Sequence, residues 1–359
     1  MDLLSNIPLL YTLLFCGTLF FSILINGLFL NFSRNLGIRK GQQDQIRWDL
    51  SGKPALGGIS FYILFLVGFI FLDLFNNGID PHFAGPKVVG LLFSVSMAFL
   101  MGLADDAFDT KPLIKFAVQC ACGLVLIFSG TRIHTFQSEF LNYFITILWV
   151  VGIMNSINMI DNMDSIATVV TMVILSFSVY QRMTLNEARH PDTLITLIVL
   201  ATLCGFLVYN WHPAKIYMGD TGSQFLGVFL AYTGIETCWN NSLSGAADSH
   251  FDSAAQILIV SLVFVLPVTD TIVVIINRIR RGQSPFIGGK DHTTHCLFFM
   301  GITEKRIAVL FVGINVIGAF LAEWVANDKG IGLNTKLLLF LYPFSVFCIF
   351  LYLNVKKAK

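Results

Sequence analysis

The sequence predicts an all-α integral membrane protein, a polytopic bundle of about eleven transmembrane helices with the N-terminus outside and the C-terminus cytoplasmic. Hydrophobic residues make up 55% of its 359 positions and charged residues only 13%, against about 25% charged in soluble domains. Mean hydropathy is +0.73. The apolar residues also come in long unbroken runs. Stretches such as Leu64-Phe65-Leu66-Val67 and Ile257-Leu258-Ile259-Val260 lack the alternation of a membrane β-strand. Together these exclude a soluble enzyme, a disordered chain and a disulfide-built secreted scaffold. The net charge of +1 excludes a nucleic-acid partner.

A helix needs about 20 apolar residues to cross a bilayer. Taken in order, the runs lie near 8–33, 55–75, 88–104, 113–129, 140–157, 166–182, 193–210, 222–239, 254–277, 306–325 and 337–355. The first has no basic residues before it and no small-residue cleavage site, so a retained helix is expected there. Eleven crossings put the termini on opposite sides. Of the 23 Lys and Arg, 17 fall in the loops after odd-numbered spans and at the C-terminus, which makes that side cytoplasmic. Six of the seven Cys lie in apolar runs and read as small core residues; Cys296 alone sits in a polar loop.

The polar chemistry gathers on the cytoplasmic side, each segment abutting the end of a span: Lys53 to Gly58, Asp105 to Asp109, Asn155 to Asp164, Asn210 to Lys215, Met218 to Ser223 and Ser284 to His295. Any one aspartate here reads most simply as solvated or as a helix cap, with Asp164 and Asp220 placed to cap spans 6 and 8. The set reads differently. Adjacent Asp105 and Asp106 repel unless a cation or shared proton relieves them. Mg²⁺ prefers carboxylate oxygens and commonly pairs one or two of them with substrate phosphates. Basic groups on the same side (Lys53, Lys215, Arg278, Lys290) are placed to hold phosphate oxygens. His292, His295 and Cys296 offer three nitrogen and sulfur ligands for zinc, but at loose spacing and with no evident fourth. Histidines positioned near a phosphate are the favoured reading, with His212 structural or lining the site.

These segments, in this order from about Lys53 to His295, resemble the polyprenyl-phosphate N-acetylhexosamine-1-phosphate transferases of glycosyltransferase family 4. That family includes undecaprenyl-phosphate N-acetylglucosamine-1-phosphate transferase, whose branch fits the span count, and phospho-N-acetylmuramoyl-pentapeptide transferase. The resemblance implies catalytic roles for Asp105, Asp106, His292 and His295, and a metal role for Asp220. It implies substrate-binding roles for Lys53, Asn155, Asn158, Asp161, Asp164 and Asn210. By the same resemblance the cofactor is Mg²⁺, with Mn²⁺ as the alternative. The partners are a UDP-N-acetylhexosamine, undecaprenyl (polyprenyl) phosphate and the lipid bilayer, with a homodimer among the expected assemblies. The setting is a bacterial cytoplasmic membrane, and the product starts a cell-envelope polysaccharide. One domain, 1–359, is expected, its site built from loops 34–58, 105–112, 155–165, 210–223 and 278–305. Two departures stand out. Asn162 and Ser165 replace the glycines of the family's Asp-Gly-x-Asp-Gly segment, and Thr294 and Cys296 occupy positions where many members carry a further His or Arg.

A secondary transporter is the alternative from another class, since intramembrane carboxylates such as Asp270 mark ion paths. The acids cluster at one face, however, whereas transporters bind at the midplane.

Overall fold

The computed structural model describes residues 6–35, 53–74, 85–240, 253–284, 291–328 and 331–357. Most of the 34–58 segment and Pro285 to Lys290 lie outside the described residues. Those described are mostly helical, without strands. In chain order the helices are α1 (Ile7–Asn35), α2 (Gly57–Leu74), α3 (Pro86–Phe108), α4 (Pro112–Phe128), α5 (Glu139–Ile160), α6 (Ile166–Thr184) and α7 (Pro191–Asn210). Then follow α8 (Gly219–Gly234), a π-helical turn (Ile235–Trp239), α9 (Ser253–Val263), α10 (Val265–Arg280), α11 (Thr293–Phe299), α12 (Glu304–Asn327) and α13 (Leu333–Lys357).

All eleven apolar runs are helical. Among the described residues, eight helices are long and apolar enough to cross a membrane, or nine if α9 and α10, bent by 82°, are one span. Two runs fall short of that test as single helices: α4 has 17 residues, and α8 has 16 before its helix widens into the π turn.

Local sequence sets the ends. Proline opens α3, α4 and α7, where its missing N–H costs no helical bond. Ser138 caps α5 through a bond from Leu141 N–H. The bend between α9 and α10 falls at Phe264, next to Val265 and Pro267.

At the centre, α8 is buried along its length and packs against α3, α5 and α2, while α7 packs against α1, α2 and α6. The outer helices turn large side chains outward, such as Phe20 and Leu28 on α1, Phe320 on α12 and Leu338 on α13. Water would penalise such a surface and lipid would not. Phe61 and Phe65 of α2 meet Phe206 of α7 and Phe225 of α8, with Phe61 and Phe206 edge-to-face at 4.9 Å. That cluster fixes α2, α7 and α8 next to the polar end of the bundle.

Candidate active site

The core of the site is where the C-terminal end of α3 meets the N-terminal end of α8. Gly102 lets the two backbones touch, since a Cβ there would stand 2.4 Å from the Asp220 carbonyl oxygen. The chain before α2 runs extended alongside: Tyr217 N–H donates to Pro54 O, Gly57 N–H to Tyr217 O and Gly58 N–H to Met218 O, each at 3.0 Å. Gly219 adopts φ +71, which a side chain would strain.

The two adjacent aspartates have separate jobs. Asp106 accepts from Asp220 N–H at 3.0 Å, Thr221 N–H at 2.9 Å and the Thr221 hydroxyl at 2.7 Å. It caps α8 from another helix, and its charge faces the positive end of that helix. Asp220, expected as a possible cap of span 8, has its carboxylate turned elsewhere. It accepts from Asn158 Nδ2 at 2.5 Å and pairs with Lys115 Nζ at 3.3 Å. Asp105 takes the same ammonium at 2.5 Å and accepts from the Thr110 N–H and hydroxyl at 3.1 and 2.5 Å. Thus Asp105 and Asp220, 115 positions apart in sequence, converge on one cationic centre. Two hard carboxylate oxygens facing one point form a donor set that fits Mg²⁺.

Around this centre Asn158 also donates to Ser223 Oγ at 2.9 Å. Asn155 exchanges hydrogen bonds with Gln119 at 2.8 and 3.3 Å, and Gln119 reaches Gln224 at 3.1 Å. Lys53 lies beside Tyr217, its ammonium 3.3 Å from the phenol oxygen and 5.3 Å from the ring centroid. Asp161 ends α5 as its C-terminal cap residue.

Asp164 and Asn210 hold the α7–α8 connection. Asp164, buried, accepts from Ala214 N–H at 2.8 Å and lies 2.9 Å from His212 Nδ1. It does not cap α6, which begins instead at Ser165. Asn210 accepts from the Thr168 hydroxyl at 2.7 Å and donates to Ile216 O at 3.0 Å, so both ends of its amide serve the fold. His212 Nδ1 also stands 3.0 Å from Glu304.

The histidine segment closes the far side. His292 Nδ1 bonds buried Asp270 at 3.0 Å, and Thr293 N–H donates to the same carboxylate at 2.9 Å. Asp270 therefore orients His292. Arg278 instead forms a two-pronged pair with Asp291 at 2.7 and 2.8 Å. Burial works against the Asp291 charge, but the bonds and charge of Arg278 outweigh it and hold this carboxyl below its ordinary value. The His295 ring packs edge-on to His292 with centroids 5.7 Å apart. Cys296 is buried, contrary to its place in a polar stretch, and its thiol donates to Asn354 at 3.1 Å. His292, His295 and Cys296 do not converge as metal ligands. Among the described residues the only such group of three is Asp164, His212 and Glu304.

The two departures from the family pattern meet each other. Thr294 donates to Asn162 Oδ1 at 2.7 Å and ties the histidine segment to the Asp161–Ser165 turn. Ser165 adopts φ 63, the conformation glycine takes without strain. Sequence reasoning counted Lys115 only as a cytoplasmic cation and gave Thr221 and Gln119 no role. Lys115 is nine positions after Asp106 in the first turn of α4, and that amphipathic placement was the available signal.

A profile for glycosyl transferase family 4 matches residues 88–237. That stretch carries Asp105, Asp106, Lys115, Asn155, Asn158, Asp164, Asn210 and Asp220. The chain is similar to this family over that stretch. It is 26% identical over 268 residues to a probable undecaprenyl-phosphate N-acetylglucosaminyl 1-phosphate transferase of Bacillus subtilis, covering 72% of this chain and 69% of that one. It is 28% identical over 305 residues to a decaprenyl-phosphate N-acetylglucosaminephosphotransferase of Mycolicibacterium smegmatis, covering 77% and 73%. It is 27% identical over 300 residues to a phospho-N-acetylmuramoyl-pentapeptide-transferase of Levilactobacillus brevis, covering 78% and 86%. These relatives are transferases by name, and the apolar helices of this chain suit a multi-pass membrane protein.

Proposed function

We propose that this protein transfers N-acetylhexosamine 1-phosphate, N-acetylglucosamine 1-phosphate in the first instance, from a UDP-sugar to polyprenyl phosphate, releasing UMP. The observation that carries this reading is the convergence of Asp105 and Asp220 on Lys115 at one end of a helical bundle. There a lipid phosphate anchored in the bilayer and a soluble nucleotide can meet. In this reading eleven spans run N-terminus outside to C-terminus inside, in a bacterial cytoplasmic membrane, and 1–359 is one domain.

An oxygen of the lipid phosphate forms a bond to the β-phosphorus, and the bond from that phosphorus to the oxygen bridging to the α-phosphorus breaks. The electron pair leaves with UMP. Two anions approach, so the chemistry is mainly charge management. Mg²⁺, when bound, supplies neutralisation of the diphosphate. Asp220 and Asp105 would hold it. Lys115 balances the two carboxylates and is placed to take a phosphate oxygen. Asp106 keeps the α8 end in register, and Asn158 aims the Asp220 carboxylate. Asp270 accepts the His292 Nδ1 proton, leaving Nε2 as the nitrogen available to a phosphate oxygen. Lys53, His295, Asn155 and Asp161 complete the substrate surface. The transporter reading loses its main residue, because Asp270 is occupied in orienting His292.

The test is UMP release and formation of an organic-soluble sugar lipid by purified protein given polyprenyl phosphate, Mg²⁺ and each of several UDP-N-acetylhexosamines. Asp220→Asn should cut turnover by about 10²–10³ and leave the melting temperature near that of the wild type. No lipid-linked product with any donor, or near wild-type turnover of Asp220→Asn at limiting Mg²⁺, would overturn the reading.

A further inference from the structure

A second polar site lies at the opposite end of the same helices. On α3, Lys87 precedes Asp105 by 18 residues; on α8 and the π turn, Glu236 follows Asp220 by 16. At 1.5 Å per residue these are separations of about 27 and 24 Å, close to the thickness of a bilayer's hydrocarbon core. Between the ends of α3, α6, α7 and the π turn is a cavity of about 680 Å³, within the usual size of ligand sites. Among the described residues its charged lining is Lys87, Arg182, Glu187, Asp192 and Glu236.

Arg182 is buried and paired with Glu187 at 2.8 Å and Asp192 at 3.0 Å, and Tyr232 donates to Asp192 at 2.8 Å. Lys87 meets both oxygens of Glu236 at 3.0 Å. Among the described residues two Lys and Arg cations therefore face three carboxylates. Gln181, only 1% exposed, also lines the cavity, and neither its amide nitrogen nor its oxygen has a hydrogen-bond partner. Burying an amide unsatisfied is costly and native folds rarely tolerate it without a reason. The π turn that carries Glu236 and Thr237 into the lining is itself a form common at functional sites.

We propose that this cavity binds the headgroup of a zwitterionic, primary-amine phospholipid, phosphoethanolamine in chemistry, in the leaflet opposite the catalytic end. Its ammonium lies against Glu236 and its phosphate against Lys87. The Lys87 side chain is 49% exposed while that of Glu236 is 11% exposed, so Lys87 can swing to the phosphate as the ammonium takes its place. The exchange keeps every charge paired. A purely anionic headgroup would face the surplus carboxylate instead. Carboxylates favour an ammonium with N–H donors, and among the described residues the lining has no Trp, Tyr or Phe to cage a quaternary amine. Val88, Leu185, Pro86 and Pro191 supply apolar lining for the glycerol and first methylenes. Gln181 supplies one donor and one acceptor. The proposal is independent of the transferase reading.

The experiment uses full-length, delipidated protein in detergent. Short-chain phosphatidylethanolamine, phosphatidylcholine, phosphatidylglycerol, free phosphoethanolamine and N-acetylglucosamine are each titrated and read by native mass spectrometry and thermal unfolding. Phosphatidylethanolamine should bind at least tenfold tighter than the other four and raise the melting temperature in a concentration-dependent way. Glu236→Gln and Gln181→Met should each weaken that binding at least tenfold with UMP release unchanged. Gln181→Met should raise the melting temperature of lipid-free protein, because it removes two unsatisfied polar atoms; that gain keeps the test decisive if Glu236→Gln fails to fold. Equal binding of the three lipids, tighter binding of the sugar, binding of free phosphoethanolamine as tight as the lipid, or wild-type affinity in Gln181→Met would each overturn the proposal.

Discussion

Replacing Gly58 by alanine should disable the site without touching a charged group. An ideal Cβ at Gly58 would stand 2.2 Å from Gly222 N, 2.6 Å from Gly222 Cα and 2.6 Å from the Thr221 carbonyl carbon. These are backbone atoms of the first turn of α8, so no side chain can rotate away. Ordinary contact begins at 3.4 Å, which requires the start of α2 and the start of α8 to part by about 1.2 Å. Asp220 lies two residues before Gly222 and moves with it, whereas Asp105 and Lys115 sit on α3 and α4. Misplacing a reacting group by about 1 Å commonly costs about 10²-fold in rate, and overpacking costs about 1–3 kcal/mol of stability. Turnover of Gly58→Ala should therefore fall about 10²-fold while the protein still folds, measured as UMP release at saturating substrates beside a thermal melt. Gly313→Ala is the control, because nothing lies within 4 Å of its Cβ position and alanine favours a helix interior by up to about 1 kcal/mol. If Gly58→Ala retains turnover within about threefold of Gly313→Ala, the close approach of α2 and α8 does not set the position of Asp220.

Two further predictions rest on named contacts. Asp106→Asn should lower stability by about 1–2 kcal/mol as well as activity, since it removes a charged cap and turns an amide N–H toward backbone donors; a melt unchanged from wild type would contradict the capping role. Asp291 has its folded pKa held below the ordinary 3.8, so its stabilising pair with Arg278 is complete above that value and is lost as pH falls through the depressed one. The melting difference between wild type and Asp291→Asn should stay level from about pH 7 to pH 5 and shrink below about pH 4; a difference that collapses near pH 6 would contradict it.

The helices were legible because lipid imposes one simple rule, that every backbone polar group bonds within its own segment over about 20 apolar residues. The shortfalls have physical causes. Neither charge composition nor the length of an apolar run reveals the bend at Phe264 or the widening at Ile235. The site was legible as a collection of segments, but the division of labour within it was not. Asp105 and Asp106 are adjacent letters with the same chemistry, yet on a helix they point about 100° apart, one toward Lys115 and the other toward the α8 terminus. Lys115 was overlooked because one lysine among 23 basic residues says nothing until its two carboxylates are in view. Asn162 and Thr294, 132 residues apart, read as separate departures and proved to be one contact.

The 82° bend between α9 and α10 also bears on the order in which this protein can mature. Phe264 keeps both helical bonds, but Pro267 has no N–H for the Val263 carbonyl four residues before it, and hydrocarbon does not solvate that oxygen. Phe264 and both its flanking residues are buried, with α12 and α13 packed against α9 and α10. Those two shielding helices are synthesised after the bend. Until they arrive, the bend lacks the packing that buries it in the finished bundle. The residues after position 300 hold none of the expected catalytic groups, yet the break in the ninth span is buried only once they are in place.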